Sequence, residues 1–109
     1  MSIENFRKEV EREKERIFPD TRIIISEELP FYLKMRLVLD GETFIEARIN
    51  SGSRRESFVL VRKNKRIAGL DNLVNWHLHP CGKADTHRKI VRPSVGTAFR
   101  YLVECYRKQ

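Results

Sequence analysis

The sequence contains few residues of several kinds, and each shortage excludes a class of protein. Two cysteines among 109 residues are too few for a disulfide framework, so we expect Cys81 and Cys105 to be reduced thiols. No apolar run approaches the ~18 residues that a bilayer crossing needs, which predicts a protein without a membrane partner. Residues 1–18 are rich in charge and contain no apolar segment of the secretory type, so we expect a cytoplasmic protein.

Several sequence motifs are also missing. There is no P-loop, no dinucleotide-binding glycine motif and no pair of carboxylates at catalytic spacing, so we expect no cofactor. No internal repeat or low-complexity segment divides the chain, and its length suits one domain over residues 1–109. A small binding module and a compact hydrolytic enzyme are both compatible with these absences.

Basic residues are abundant and unevenly placed. The chain has 22 Lys and Arg against 15 Asp and Glu, a net charge of +7. Residues 1–20 hold five of the basic and six of the acidic groups, which leaves 17 basic against 9 acidic groups and a net charge of +8 beyond them. Such a basic field attracts a polyanion, most simply nucleic acid, or an acidic protein. A solvated surface that keeps a small protein soluble is the alternative.

The pattern of apolar residues predicts an α+β protein. We expect an antiparallel meander sheet of about 4–5 strands over residues 22–71, with an N-terminal helix over 1–18 and a C-terminal helix over 94–108 packed on the sheet. Leu33, Met35 and Leu37 alternate with polar neighbours, and Asp40-Gly41 predicts a hairpin turn. Ser2 and Ser94 are placed as N-caps of the two helices. Residues 72–93 have no usable period, and we expect a long functional loop there.

All three histidines lie in this loop, which makes it the candidate catalytic site. Cleavage of RNA needs a base for the 2′-hydroxyl, an acid for the leaving 5′-oxygen and cations for the charge on phosphorus. We expect His87 to act as base or acid, with His77 and His79 as complementary or orienting groups. The full set of candidate catalytic residues is His87, His77, His79, Arg88, Lys89 and Asp71. Asp71 is also placed to form an Asx turn with Asn72.

A second set of residues is placed to bind the nucleic acid itself. Basic side chains on the predicted outer face of the sheet and in the following turn suit phosphates, and one aromatic residue suits a base. This set is Lys34, Arg36, Arg48, Arg54, Arg55 and Trp76. Trp76 is equally suited to packing, and Lys34 and Arg36 to a merely solvated strand face.

Metal binding is a further hypothesis, because imidazole and thiolate groups are zinc ligands. The candidates are His77, His79, Cys81 and His87, but their spacing matches no common structural zinc pattern, and our assignment has no metal. A zinc-stabilised adaptor thus ranks third, after an RNA-cleaving enzyme and a non-enzymatic module that binds nucleic acid or protein. The sequence leaves a homodimer open.

Several elements together resemble a known family. They are the strand order before Asp71, the exit Leu70-Asp71-Asn72, the element Trp76-His77-Leu78-His79-Pro80, the element Asp85-Thr86-His87-Arg88-Lys89 and the amphipathic closing helix. Over about residues 22–106 the chain looks like the TumE-type toxins, small proteins of bacterial and archaeal toxin–antitoxin modules. The family usually shows Tyr-Asp-Asn, His-His-Pro and a second His-rich cluster with a Lys. Here Leu70 replaces the Tyr, Leu78 separates the two histidines, and His87 is the only histidine of the second cluster.

The resemblance implies growth inhibition through attack on RNA. Because His87, Arg88 and Lys89 can supply the acid–base group and the cations without a metal, we expect a metal-independent endoribonuclease. It also implies a cognate antitoxin that carries a helix-turn-helix and neutralises the toxin.

Overall fold

Seven antiparallel strands follow one another in sequence order, with one helix before the first strand and one after the last. A computed structural model describes all 109 residues. The elements are α1 (Ile3–Ile17), β1 (Arg22–Leu29), β2 (Tyr32–Val38), β3 (Thr43–Asn50), β4 (Arg55–Arg62), β5 (Lys65–Asp71), β6 (His77–His79), β7 (Arg88–Lys89) and α2 (Val95–Arg107). The predicted α+β class with two terminal helices and an antiparallel sheet is confirmed.

The predicted number of strands is too low, because residues 72–93 are not only a loop. His77–His79 pairs with the end of β5, and Arg88–Lys89 pairs in turn with β6. These strands contain three and two residues. A period of two is recognisable only over about four or more residues, so the sequence pattern did not reveal them.

Both helices begin at the predicted capping residues. The Ser2 hydroxyl accepts a hydrogen bond from the Asn5 N–H at 3.1 Å, and the Ser94 hydroxyl accepts one from the Thr97 N–H at 3.1 Å. Each serine thereby satisfies one N–H group that the first helical turn leaves without a partner.

The core lies between one face of the sheet and the two helices. Leu33, Met35 and Leu37 of β2 are fully buried, as their alternation predicts. Phe58 of β4 reaches both helices, because its ring centroid lies 5.9 Å from that of Phe6 in α1 and 5.9 Å from that of Phe99 in α2. The N-terminal helix therefore docks on its own sheet and closes the core beside α2.

The two cysteines form a disulfide, so the prediction of reduced thiols is wrong. Cys81 follows β6, and Cys105 lies on the buried face of α2 with a Cα–Cα separation of 5.6 Å. That separation is usual for a disulfide. The two residues are 24 positions apart in sequence, and only the packing of α2 against the sheet brings them together.

Candidate functional site

The second face of the sheet has no helix over it, and a row of polar side chains crosses it. In an antiparallel sheet, residues directly opposite one another project from the same face. The register places one such residue on each strand from β2 to β7, each opposite the next: Lys34, Arg48, Ser57, Asp71, His77 and Lys89. This polar row is roughly 24 Å long, since it spans five strand spacings. Two predicted phosphate-binding residues and three predicted catalytic residues therefore share one line.

His79 lies beside this row and is held at both ring nitrogens. Its Nε2 is 2.9 Å from Asp71 Oδ2, and its Nδ1 is 3.1 Å from the carbonyl oxygen of Ala84. Both partners are acceptors, so both hydrogen bonds form only when each nitrogen carries a proton. The side chain is 4% exposed. Of the two roles predicted for His79, this geometry favours orientation of its neighbours over proton transfer to a substrate.

Asp71 serves two partners at once. Oδ2 faces His79, and Oδ1 accepts a hydrogen bond from the Leu73 N–H at 3.1 Å, which is the predicted Asx turn. The side chain of Asn72 then closes the end of the strand pair, because its Oδ1 accepts from the Glu56 N–H at 2.8 Å. The β5 terminus is thus fixed, and with it the carboxylate that orients His79.

His87 lies against the ring of His79, outside the His79–Asp71 pair, and is open to solvent. Its ring centroid is 4.5 Å from that of His79 and 5.6 Å from that of His77, with edge-to-face contacts in both cases. His87 is exposed and His77 is half-buried. The three histidines predicted as a group are therefore one cluster, the histidine cluster, with His87 on its outer side.

The segment that carries His87 is attached to two other elements. The Gly82 N–H donates to the Ile67 carbonyl of β5 at 3.1 Å, and the Cys81 N–H donates to the Tyr101 hydroxyl of α2 at 3.1 Å. Gly82 has φ +68°, a left-handed conformation that glycine adopts without a steric penalty. The disulfide to Cys105 adds a covalent link at the same place.

The two predicted catalytic cations lie on opposite sides of the sheet. Lys89 is paired with His77, whereas Arg88 is paired with Leu78, whose side chain is buried in the core. Successive residues of a strand project to opposite faces. Lys89 therefore shares the open face with the histidine cluster, and Arg88 projects toward the helix-covered side.

The predicted nucleic-acid-binding residues are divided between the open face and the adjoining turn. Glu46 lies between Arg36 and Arg48, with N–O distances of 3.4 and 3.6 Å, and neutralises part of their charge. Arg54 and Arg55 are exposed after the β3–β4 turn. Trp76 is partly buried against the core and also lines a shallow pocket with Arg54, so it combines packing with an accessible ring edge.

The sequence pattern did not single out Arg66, which is a cation of this site. Arg66 of β5 is exposed, and its Nη2 donates to the Ala84 carbonyl at 3.3 Å, the same carbonyl that faces His79. It lines an open pocket of about 310 Å³ together with Arg48, Arg55 and Asp71. The sequence signal was the cluster of six basic groups in residues 54–66, which the strand register then divides.

The four-ligand zinc hypothesis is not supported by the geometry. Cys81 is bonded to Cys105, and both ring nitrogens of His79 already have protein partners. No group of three or more His, Cys, Asp or Glu side chains is arranged to hold a metal ion. The residues present do not fit the proposed zinc site.

Comparison with protein-family models, with curated proteins and with solved structures gives no match for this chain. The resemblance to the TumE-type toxins therefore stays a prediction from the motifs of the sequence. Neither α1 nor α2 is long and apolar enough to cross a bilayer.

Proposed function

We propose that this protein acts on RNA as a metal-independent endoribonuclease and is the toxin of a toxin–antitoxin module. One observation carries the proposal: the polar row brings basic side chains and the histidine cluster onto one open face of the sheet. An RNA strand that lies along this row contacts Arg48 and Lys89 while its backbone passes His87. The toxin assignment rests on the motif resemblance.

The chemistry that suits this face is transfer of the phosphoryl group from the 5′-oxygen of the next nucleotide to the neighbouring 2′-oxygen. A base removes the 2′-hydroxyl proton, the 2′-oxygen attacks phosphorus, and an acid gives a proton to the departing 5′-oxygen. The products are a 2′,3′-cyclic phosphate and a 5′-hydroxyl end, with no net change in protons. His87 and His77 are the two accessible imidazoles for these transfers. Lys89 supplies positive charge next to the phosphorus.

His79 and Asp71 act through the other two histidines. Because His79 is bonded at both ring nitrogens and buried, it presents a fixed ring to His87. A fixed neighbour limits the orientations open to an exposed side chain and thereby holds the reacting group in place. His79 is a positioning residue in this scheme.

The test is a paired incubation of wild type and His87→Ala with total RNA in a chelator, resolved on a sequencing gel. Arg100→Ala serves as the matched control, because Arg100 is exposed on α2 and far from the open face. We expect discrete cleavage by wild type and by the control, and none by His87→Ala. Equal cleavage by all three proteins contradicts the assignment of His87.

A non-enzymatic binding module is the second candidate. It is favoured by Arg55 and Arg66, which pair with no carboxylate and are therefore free to bind phosphate whether or not a bond is cut. RNA that is retarded on a native gel in a salt-sensitive way, with no cleavage by wild type, selects this candidate over the enzyme.

A further inference from the structure

The 310 Å³ pocket on the open face lies next to the histidine cluster but is separate from it. It is bordered by the ends of β2 and β3 on one side and by β5 on the other, and we call it the arginine pocket. The side chains that matter for its chemistry are Tyr32, Arg48, Arg55, Ser57, Arg66 and Asp71. Its volume is at the small end of the range of ligand pockets, about 300–1,000 Å³, which suits one nucleotide-sized group.

The arginine pocket carries an excess of positive charge, with three arginines against two carboxylates. Of its two carboxylates, Glu56 is paired with Arg92 at 3.0 Å, and Asp71 is paired with His79 at 2.9 Å. Arg55 and Arg66 have no carboxylate partner. The pocket thus offers two guanidinium groups without a carboxylate partner, and guanidinium is the side-chain group best suited to bind phosphate oxygens.

The aromatic side chain of the pocket gives it a surface for a base. Tyr32 begins β2, is half-buried, and lies opposite Asn50 at the rim of the open face. An aromatic ring beside guanidinium groups is the arrangement by which proteins hold single-stranded nucleic acid, with the base stacked and the backbone neutralised. A base within a duplex has no free face to stack, so such a site prefers unpaired nucleotides.

The arginine pocket and the histidine cluster meet at Asp71. Ser57 in the pocket and His77 in the cluster are two strands apart along the polar row, a separation of roughly 10 Å. An RNA strand that follows the polar row can therefore place one nucleotide in the pocket and a nearby phosphate at the histidine cluster.

We propose that the arginine pocket binds one unpaired ribonucleotide of the RNA strand, adjacent to the phosphate that is cut. Tyr32 stacks on its base, and Arg55 and Arg66 bind its phosphate. This inference rests on the proposed function and deepens it, because it makes single-stranded RNA the substrate and makes the pocket the element that selects it.

The test measures binding separately from cleavage. The probe is a fluorescent 2′-O-methyl oligoribonucleotide of about ten nucleotides, whose blocked 2′-oxygens prevent strand scission, used alone and annealed to its complement. Fluorescence anisotropy over a series of salt concentrations gives the affinity and its salt dependence for wild type and for Tyr32→Ala, Tyr32→Phe, Arg55→Ala and the control Arg100→Ala. Thermal unfolding of each variant verifies that it is folded.

We expect wild type to bind the single strand more tightly than the duplex. Tyr32→Ala should weaken single-strand binding by about five- to a hundredfold, the range for loss of one stacked base, and Tyr32→Phe should restore it. Arg55→Ala should lower the slope of log affinity against log salt by about 0.7, the change for one phosphate contact on a single strand. Arg100→Ala should match wild type.

Two results overturn the pocket assignment, and only the second of them also overturns the proposed function. If wild type cleaves RNA but Tyr32→Ala and Arg55→Ala bind as wild type does, the pocket assignment is wrong and the proposed function stands. If wild type neither binds the probe nor cleaves RNA, the pocket assignment and the proposed function fall together. Equal loss in Tyr32→Ala and Tyr32→Phe counts against stacking, because the phenylalanine ring keeps the same face.

Discussion

The rings of His87 and His79 pack edge to face, with 4.5 Å between the ring centroids, and the two residues differ sharply in exposure. His79 is 3% exposed and bonded at both nitrogens, whereas His87 lies at the surface. The inner histidine is part of the folded framework, and the outer one is available to a ligand. Substitutions at the two positions should therefore separate stability from activity.

Replacement of the inner histidine should destabilise the protein, and replacement of the outer one should not. His79→Ala removes one hydrogen bond each from Asp71 Oδ2 and from the Ala84 carbonyl and leaves a gap at a buried position, and we expect a loss of about 2 kcal/mol in the free energy of unfolding. His87→Ala removes an exposed ring that makes only edge-to-face contacts with His77 and His79, and it should change the free energy of unfolding by less than about 0.5 kcal/mol. Urea unfolding of both variants measures the difference. A destabilised His87→Ala would mean that the outer ring also supports the fold.

Reduction of the disulfide should lower stability substantially. The bond joins residues 24 positions apart, and closure of a loop of this size corresponds to about 3.5 kcal/mol in the chain-entropy model. Unfolding with and without dithiothreitol measures this contribution. The double variant Cys81→Ala, Cys105→Ala is the control, and its free energy of unfolding should be the same with and without dithiothreitol. A wild-type curve that reductant does not shift, at full reduction by mass spectrometry, contradicts the prediction.

The contact between Tyr106 and Asp40 should stabilise the protein over a defined pH window. The Tyr106 hydroxyl donates to Asp40 Oδ2 at 2.8 Å. The Glu42 N–H, followed by this hydroxyl, holds the pKa of Asp40 below its ordinary 3.8. Hydrogen bonding to Asp40, followed by burial, raises the pKa of Tyr106 above its ordinary 10.0.

The two shifted pKa values make this contribution to stability depend on pH. A lowered carboxyl pKa contributes stability that is present above 3.8 and lost as the pH falls through the lower, folded value. A raised phenol pKa contributes stability that is present below 10.0 and lost as the pH rises through the higher, folded value. We expect Tyr106→Phe to be less stable than wild type between these limits and the difference to shrink outside them. Thermal unfolding across the pH range tests this, and a difference independent of pH would contradict it.

Packing between the two helices should couple Gly96 to Glu13. A methyl group on Gly96 would lie 2.6 Å from Glu13 Oε1, and the Glu13 side chain is buried with Arg16 as its partner. The Glu13 carboxylate can shift only by giving up part of its contact with Arg16, so we expect Gly96→Ala to destabilise the protein by up to about 1 kcal/mol. In a Glu13→Ala background the same change should stabilise it by about 0.5 kcal/mol, because alanine favours the helix. A double-mutant cycle measures the coupling, and additive effects would show that the two sites do not touch.

Local patterns predicted the framework of this molecule well. Leu33, Met35 and Leu37 alternate as they do because β2 has one covered face, and the capping serines mark where each helix begins. Such features depend on neighbours within a few residues. They can therefore be predicted from the sequence alone.

The site depends on relationships that no local pattern contains. The polar row exists because the turns and the bulge between Leu60 and Val61 set the register, and a shift by one residue would turn Asp71 away from His77. The histidines were predicted as a group from their closeness in sequence. Which of them is buried, and that Arg66 joins them through the Ala84 carbonyl, follows only from the folded chain.

The disulfide described above makes a closed ring of the chain from Cys81 to Cys105, and this ring contains His87 and most of α2. A single peptide-bond cut by a protease anywhere inside the ring leaves both fragments covalently joined. Because β6 and the inner part of α2 are anchored independently in the core, the two ends of such a nick are held close together. Release of the segment that carries His87 therefore requires a second cut or reduction of the sulfur–sulfur bond.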